Sequence, residues 1–142
     1  MTTRLRRISH LGLAVNDLEA AIHLYRDVYG LELEHRWVAD SDGMEAATFR
    51  VGDVEIELMQ PRSEDSPVGR FLARRGEGVH HVAFKVDDVA GALAGIRDAG
   101  LTTIDSAPRE GGDGRTRIGF LHPQSTLGML TELEEDVPAE ER

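Results

Sequence analysis

A chain of 142 residues, 40% hydrophobic and 30% charged, has the length and balance of one globular domain able to own a core. A formal net charge of -10 argues against general nucleic-acid binding, which needs a basic face, and no apolar run is long enough for a membrane span or a signal peptide, so a cytoplasmic protein is expected. The absence of cysteine excludes disulfides, thiol nucleophiles and thiolate ligands, leaving His and carboxylate oxygen to hold any metal.

In chain order, "ISHLGLAVND" (Ile8 to Asp17) reads as a strand running into an acidic helix start. In "NDLEAAIHLYRDVYG", Leu18, Ala21, Ile22, Tyr25, Val28 and Tyr29 recur at helical spacing, with Asn16 or Asp17 to cap and Gly30 to stop. Three strands are expected next, near 31–38, 44–51 and 53–60. "PRSEDSPVGRFLARRGEG" then reads as a linker, about 62–77, carrying one short helix over Val68 to Arg75.

"GVHHVAFKVDD" (Gly78 to Asp88) restarts the pattern. At an offset of 71 residues, His10 falls on His81, Val15 on Val86 and Asp17 on Asp88. A helix follows through Val89, Ala92, Leu93, Ile96 and Ala99 to Gly100, then strands near 101–106, 116–122 and 127–134. The spacing suits a duplicated βαβββ module, with module one near 6–61 and module two near 78–135. The charged tail 136–142 is expected to fray.

Strand side chains alternate faces. Leu11, Leu13 and Val15 therefore share the face expected to meet a helix, and His10, Gly12 and Ala14 share the other; His81, Ala83 and Lys85 repeat the second set. In "VEIELMQ", Glu55, Glu57 and Met59 lie across from Val54, Ile56 and Leu58, and Glu132 in "GMLTELEE" occupies the place that matches Glu57. Each half thus presents one His and one Glu on the face away from the helices. Two imidazoles and two carboxylates suit a divalent ion such as Zn, Co, Ni, Mn or Fe. His80 points opposite to His81 and reads as structural; Glu55, His23 and His35 read as surface residues, and His122 with Pro123 as turn chemistry.

The segments "SHLGLAVNDLEAAIHLYRDVYG", "VEIELMQP", "GEGVHHVAFKVDDV" and "APREGGDGRTRIGFLHPQSTLGMLTEL" resemble the vicinal oxygen chelate superfamily and, within it, the methylmalonyl-CoA epimerase family. The resemblance implies an α+β fold, two βαβββ modules forming one concave mixed sheet around a divalent metal (Co, Zn, Mn or Ni), with ligands at His10, Glu57, His81 and Glu132. In some members the second ligand is Gln. It also implies inversion of the α-carbon of methylmalonyl-CoA between its 2R and 2S forms. A thioester α-proton is acidic only if the enolate oxygen is stabilised, which a Lewis-acidic metal contributes, while positioned carboxylates remove and return the proton, each typically worth about 10² to 10⁴ in rate. Glu132 is one such group by resemblance. Glu45, in "SDGMEAATF", is the other, although an ungapped match falls on Ala46, and a slip of one residue reverses a strand side chain.

The loop "PREGGDGRTR" offers Arg109, Gly111, Gly112, Gly114, Arg115 and Arg117 for close approach to an anion; the resemblance assigns it to the substrate carboxylate, and Lys85 is a further substrate-binding candidate. Arg70, Arg74 and Arg75 are candidates for the coenzyme A phosphates. The implied partners are an acyl-CoA substrate and a second copy of the chain, with no nucleic acid and no membrane. A glyoxalase I type lactoylglutathione lyase would use the same ligands, though the closing "FLHPQSTLGMLTEL" resembles the epimerases. A metal-free binder of the bleomycin-resistance type would need no such His/Glu register. An extradiol dioxygenase, which needs two His, one carboxylate and open positions, fits a four-ligand set less well.

Overall fold

A computed structural model describes residues 3–111 and 114–142. Its internal contacts divide the chain into two units, one of His10–His80 and one of the residues through Ser9 together with His81–Arg142.

In the first unit, β1 (Arg7–Ala14, whose last five residues belong here) leads into α1 (Leu18–His23), which continues as a π-helical turn over Leu24–Val28. The Asp17 carboxylate caps α1 by accepting from the Ala20 N–H at 3.2 Å. Strands β2 (Leu33–Ala39), β3 (Met44–Val51) and β4 (Val54–Pro61) follow, in the spatial order β2-β3-β4-β1, with β1 and β4 parallel. β3 and β4 form a hairpin in which Val51 pairs with Val54, and Gly52, at φ 62°, supplies the left-handed turn position. The expected linker helix is α2 (Pro67–Arg75), started by Ser66, whose hydroxyl accepts from the Gly69 N–H at 3.1 Å.

Two apolar clusters lie on opposite faces of these strands. Val15, Leu18, Ile22, Ala47, Phe49 and Leu58 pack with Leu13 and Ile56 beneath α1. Across the sheet, Ala14, Met44, Ala46 and Met59 pack with Trp37 and with Val68, Phe71 and Leu72 of α2. Alternation therefore places Leu13, Ala47 and Leu58 on the α1 face, and His10, Ala46, Thr48, Glu57 and Met59 on the other.

In the second unit, β5 (Gly78–Lys85, from His81 onward), α3 (Val89–Asp98), β6 (Arg109–Glu110), β7 (Thr116–Leu121) and β8 (Thr131–Asp136) take the order β5-β8-β7-β6, with β5 and β8 parallel. Its core is Val86, Val89, Ala92, Leu93, Leu121 and Leu133 with Phe84 and Ile96. That leaves His81, Lys85, Phe120, Glu132 and Glu134 on the face away from α3.

Two expectations fail in this unit. The strand expected at 101–106 is reduced to a bridge between Thr103 and Leu121, because the Asp105 carboxylate, in place of a backbone carbonyl, also takes the Phe120 N–H at 2.8 Å, and the ladder resumes only at Arg109. Nor does the tail fray from 136. Asp136 belongs to β8, Val137 is buried with its N–H on the Arg115 carbonyl at 2.9 Å, and a 3-10 turn spans Ala139–Glu141.

Candidate active site

The two units set their His and Glu in the same register. In the first, Gly12 pairs with Glu57, so Glu57 stands opposite the residue two beyond His10; in the second, Ala83 pairs with Glu132, two beyond His81. The second unit shows what that register does. His81 Nε2 and Glu132 Oε1 lie 3.3 Å apart, with side chains only 4% and 7% exposed. Metal–nitrogen and metal–oxygen bonds of about 2.0–2.2 Å put two ligands of one ion about this far apart. A buried imidazole and a buried carboxylate so placed fit a divalent ion.

An aromatic shelf backs the pair. The Phe120 ring meets the His81 ring edge-on at 5.8 Å, and the Arg109 guanidinium lies 5.3 Å over Phe120 while its Nε donates to Asp105 at 3.1 Å. Asp105 thus holds the Phe120 backbone with one oxygen and Arg109 with the other. Next along the same face, Lys85 Nζ sits 2.6 Å from both Glu134 and Asp136, and the Ser9 hydroxyl donates to Glu134. Burial alone would lower the Lys85 pKa; the Glu134 and Asp136 carboxylates outweigh it and hold the ammonium above the usual lysine value.

In the first unit, His10 is buried and Glu57 half-buried on the face of Ala14 and Met59. Glu45 does not join them. It shares the α1 face with Ala47 and Phe49, and its carboxylate lies 3.8 Å from Arg36, which also pairs with Glu19 on α1. The β3–β4 register runs without a shift from Met44 to Val51, so the residue on the His10 face is Ala46. Glu45 therefore lies on the face opposite to the one expected of an acid/base.

Of the loop residues, Gly111 is packed against β7, where a Cβ would lie 2.1 Å from the Thr116 hydroxyl, and Gly114 has φ 74°. Gly112 lies outside the described residues. Arg115 offers its carbonyl to Val137, and Arg117 pairs with Glu135 at 3.5 Å. Lys85, expected to meet substrate, is committed to two carboxylates. Arg70, Arg74 and Arg75 are exposed on α2, with Arg75 5.8 Å over Phe71. His80 packs edge-on against Phe71 at 5.1 Å, and His122 Nδ1 accepts from the Gln124 N–H at 3.1 Å.

Sequence reading missed Thr48 and Trp37, whose Oγ1 and Nε1 are buried without a hydrogen-bond partner. The signal for Thr48 was present: the turn at "VGDV" fixes a register that sets it opposite Glu57.

The family model for the glyoxalase/bleomycin resistance protein/dioxygenase superfamily matches residues 9–120. The chain belongs to this superfamily. A relative within it, the ethylmalonyl-CoA/methylmalonyl-CoA epimerase of Cereibacter sphaeroides, is 34% identical over 131 residues, covering 91% of this chain and 97% of its own. The crystal structure of methylmalonyl-CoA epimerase from Mycobacterium tuberculosis superposes with a TM-score of 0.92 at 33% identity, covering 99% of this chain and 95% of that one. A variant of the Streptomyces coelicolor methylmalonyl-CoA epimerase, in complex with 2-nitronate-propionyl-CoA, gives 0.89 at 41% identity, covering 95% and 100%. These superfamily likenesses show the vicinal oxygen chelate fold across the chain.

Proposed function

We propose that this protein is a methylmalonyl-CoA epimerase in which His10, Glu57, His81 and Glu132 hold a divalent metal. The observation that carries the reading is the buried His81–Glu132 pair at 3.3 Å, in a register that His10 and Glu57 repeat, within a chain 41% identical to an epimerase that binds an acyl-CoA analogue. When bound, the ion supplies Lewis acidity to the thioester carbonyl, making the neighbouring α-proton labile. Glu132 takes or returns that proton on one face of the α-carbon, and a second proton donor on the opposite face completes the inversion. Glu132 is the carboxylate on the site face that is both buried and adjacent to an imidazole.

Arg109, braced by Phe120 and Asp105, and the Gly111–Arg115 loop position the free carboxylate of the malonyl group. The exposed arginines of α2 meet the coenzyme A phosphates. Homodimerisation and a cytoplasmic location complete the proposal; among the described residues no helix is long and apolar enough to cross a membrane.

The deciding experiment is α-proton exchange. Incubated with (2R)- or (2S)-methylmalonyl-CoA in deuterated water, the metal-loaded protein should wash deuterium into the α-position and yield both epimers. Absence of exchange at substrate-level enzyme concentration rejects the function. Turnover of the glutathione–methylglyoxal hemithioacetal instead would make the protein a lyase.

A further inference from the structure

The Thr48 hydroxyl poses a problem that the fold does not solve. Thr48 is 3% exposed and its Oγ1 has no hydrogen-bond partner. An unpaired buried hydroxyl is destabilising, and native structures keep few of them. Valine has the same shape, suits a strand at least as well and carries no such cost. A hydroxyl kept here at a loss to the fold is explained by a partner whose geometry is completed on ligand binding.

The ladder identifies the partner. Thr48 pairs directly with Glu57 across β3 and β4, on the face that also carries His10. Cβ atoms of residues so opposed lie about 4.5–5.5 Å apart, within reach of a hydroxyl-to-carboxylate hydrogen bond. Its other ladder neighbour is His35, whose place in β2 is exposed. A carboxylate that gives one oxygen to a metal leaves the second to accept from the protein, and such outer contacts fix the ligand's direction.

From this we infer that Thr48 is a positioning residue of the metal site, its hydroxyl donating to Glu57 when Glu57 ligates the ion. The inference rests on the metal-site reading above and adds to it a residue outside the ligand set. Thr48 touches neither substrate nor metal. It acts through Glu57, and that dependence makes the role testable.

The test titrates metal-free protein with zinc or cobalt(II) against a chromophoric chelator, and follows thermal unfolding of the metal-free and loaded forms. Thr48→Val should weaken metal binding about 10–100-fold while leaving the metal-free melting temperature unchanged or higher, because the unpaired hydroxyl is gone. Thr48→Ser, which keeps the hydroxyl, should bind within about threefold of the parent, well inside that range. In a Glu57→Ala background, Thr48→Val should have no further effect on affinity.

Equal metal affinity for Thr48→Val and the parent overturns the inference, as does a metal-free Thr48→Val protein that melts several degrees lower, since the hydroxyl would then be bonded within the fold itself. A full additional loss in the Glu57→Ala background overturns it too. Failure of the parent protein to bind either ion is a separate result: it removes the metal-site reading, and this inference with it.

Discussion

The two modules carry the same plan and spend it differently. In each, a His stands two residues before the ladder partner of a Glu, and in each the first helical N–H is accepted by a side chain three residues beyond that Glu: Leu18 by Gln60 at 2.7 Å, and Val89 by Glu135 at 3.0 Å. Around this shared frame the polar load is unequal. The second module buries Glu132 and Glu134 among His81, Lys85 and Ser9, whereas the first leaves Glu57 half-buried beside an unpaired threonine. Duplication thus preserves register, which the backbone dictates, and lets the charge around each carboxylate diverge. On the proposed reading, the more buried Glu132 both ligates and moves the proton, whereas Glu57 only ligates.

The sharpest break in that comparison is to remove one acid from each module. Glu132→Gln should leave a folded protein with epimerisation reduced about 10³-fold, within the range of a positioned acid or base. Glu57→Gln should cost about tenfold, through metal affinity, because an amide oxygen still ligates. Both numbers come from initial rates of epimer formation, with a metal titration alongside. Equal losses would mean that the two sites share the chemistry and that the difference in burial carries no function.

A second test asks whether the polar load of module two is structural. Lys85→Met leaves Glu134, 10% exposed, without its cation, and breaking a buried pair of this kind costs about 3–5 kcal/mol, less whatever Ser9 retains. Because the lysine pKa is raised in the fold, the contribution is present in full below the ordinary lysine value and is lost as pH rises through the higher folded value. Urea unfolding should therefore show a deficit in the mutant near neutral pH that closes at strongly alkaline pH. A deficit independent of pH would point to lost packing of the Lys85 stem.

The helix starts offer a smaller contrast. Gln60→Ala and Glu135→Ala each remove an acceptor from a first-turn N–H, for about 1 kcal/mol apiece. Glu135 should cost somewhat more at low salt, since its charge also meets the positive end of the α3 dipole. Denaturant midpoints at low and high ionic strength check this. Only the Glu135 variant should respond to salt.

Much of this was legible in the sequence, for a physical reason. His10 with Gly12 and Ala14 against Leu11, Leu13 and Val15 is a period-two pattern, so the burial of one face announces the direction of the other. The helices declared themselves by spacing and by Asp17, Gly30 and Gly100. What stayed hidden depended on contacts between strands. Asp105 displaces a backbone partner of Phe120 and cancels an expected strand, and no local signal distinguishes that aspartate from a solvated one. Lys85 has the sequence appearance of an anion site, but its partners Glu134 and Asp136 come from another strand and leave no local signal.

Glu45 is the most instructive of these, because a single residue along the strand separates it from the His10 face. Its neighbours Ala47 and Phe49 pack beneath α1, and the unbroken ladder from Met44 to Val51 leaves no bulge that could turn it over. Arg36, which also pairs with Glu19 on α1, holds it on that face. Glu45→Gln should consequently change epimerisation by less than about twofold, and stability by no more than an exposed ion pair, about 0–1 kcal/mol. Rates and denaturant midpoints measured beside Glu132→Gln decide it. A loss approaching that of Glu132→Gln would require the strand to turn over in the working enzyme, carrying Ala47 and Phe49 out of the core with it.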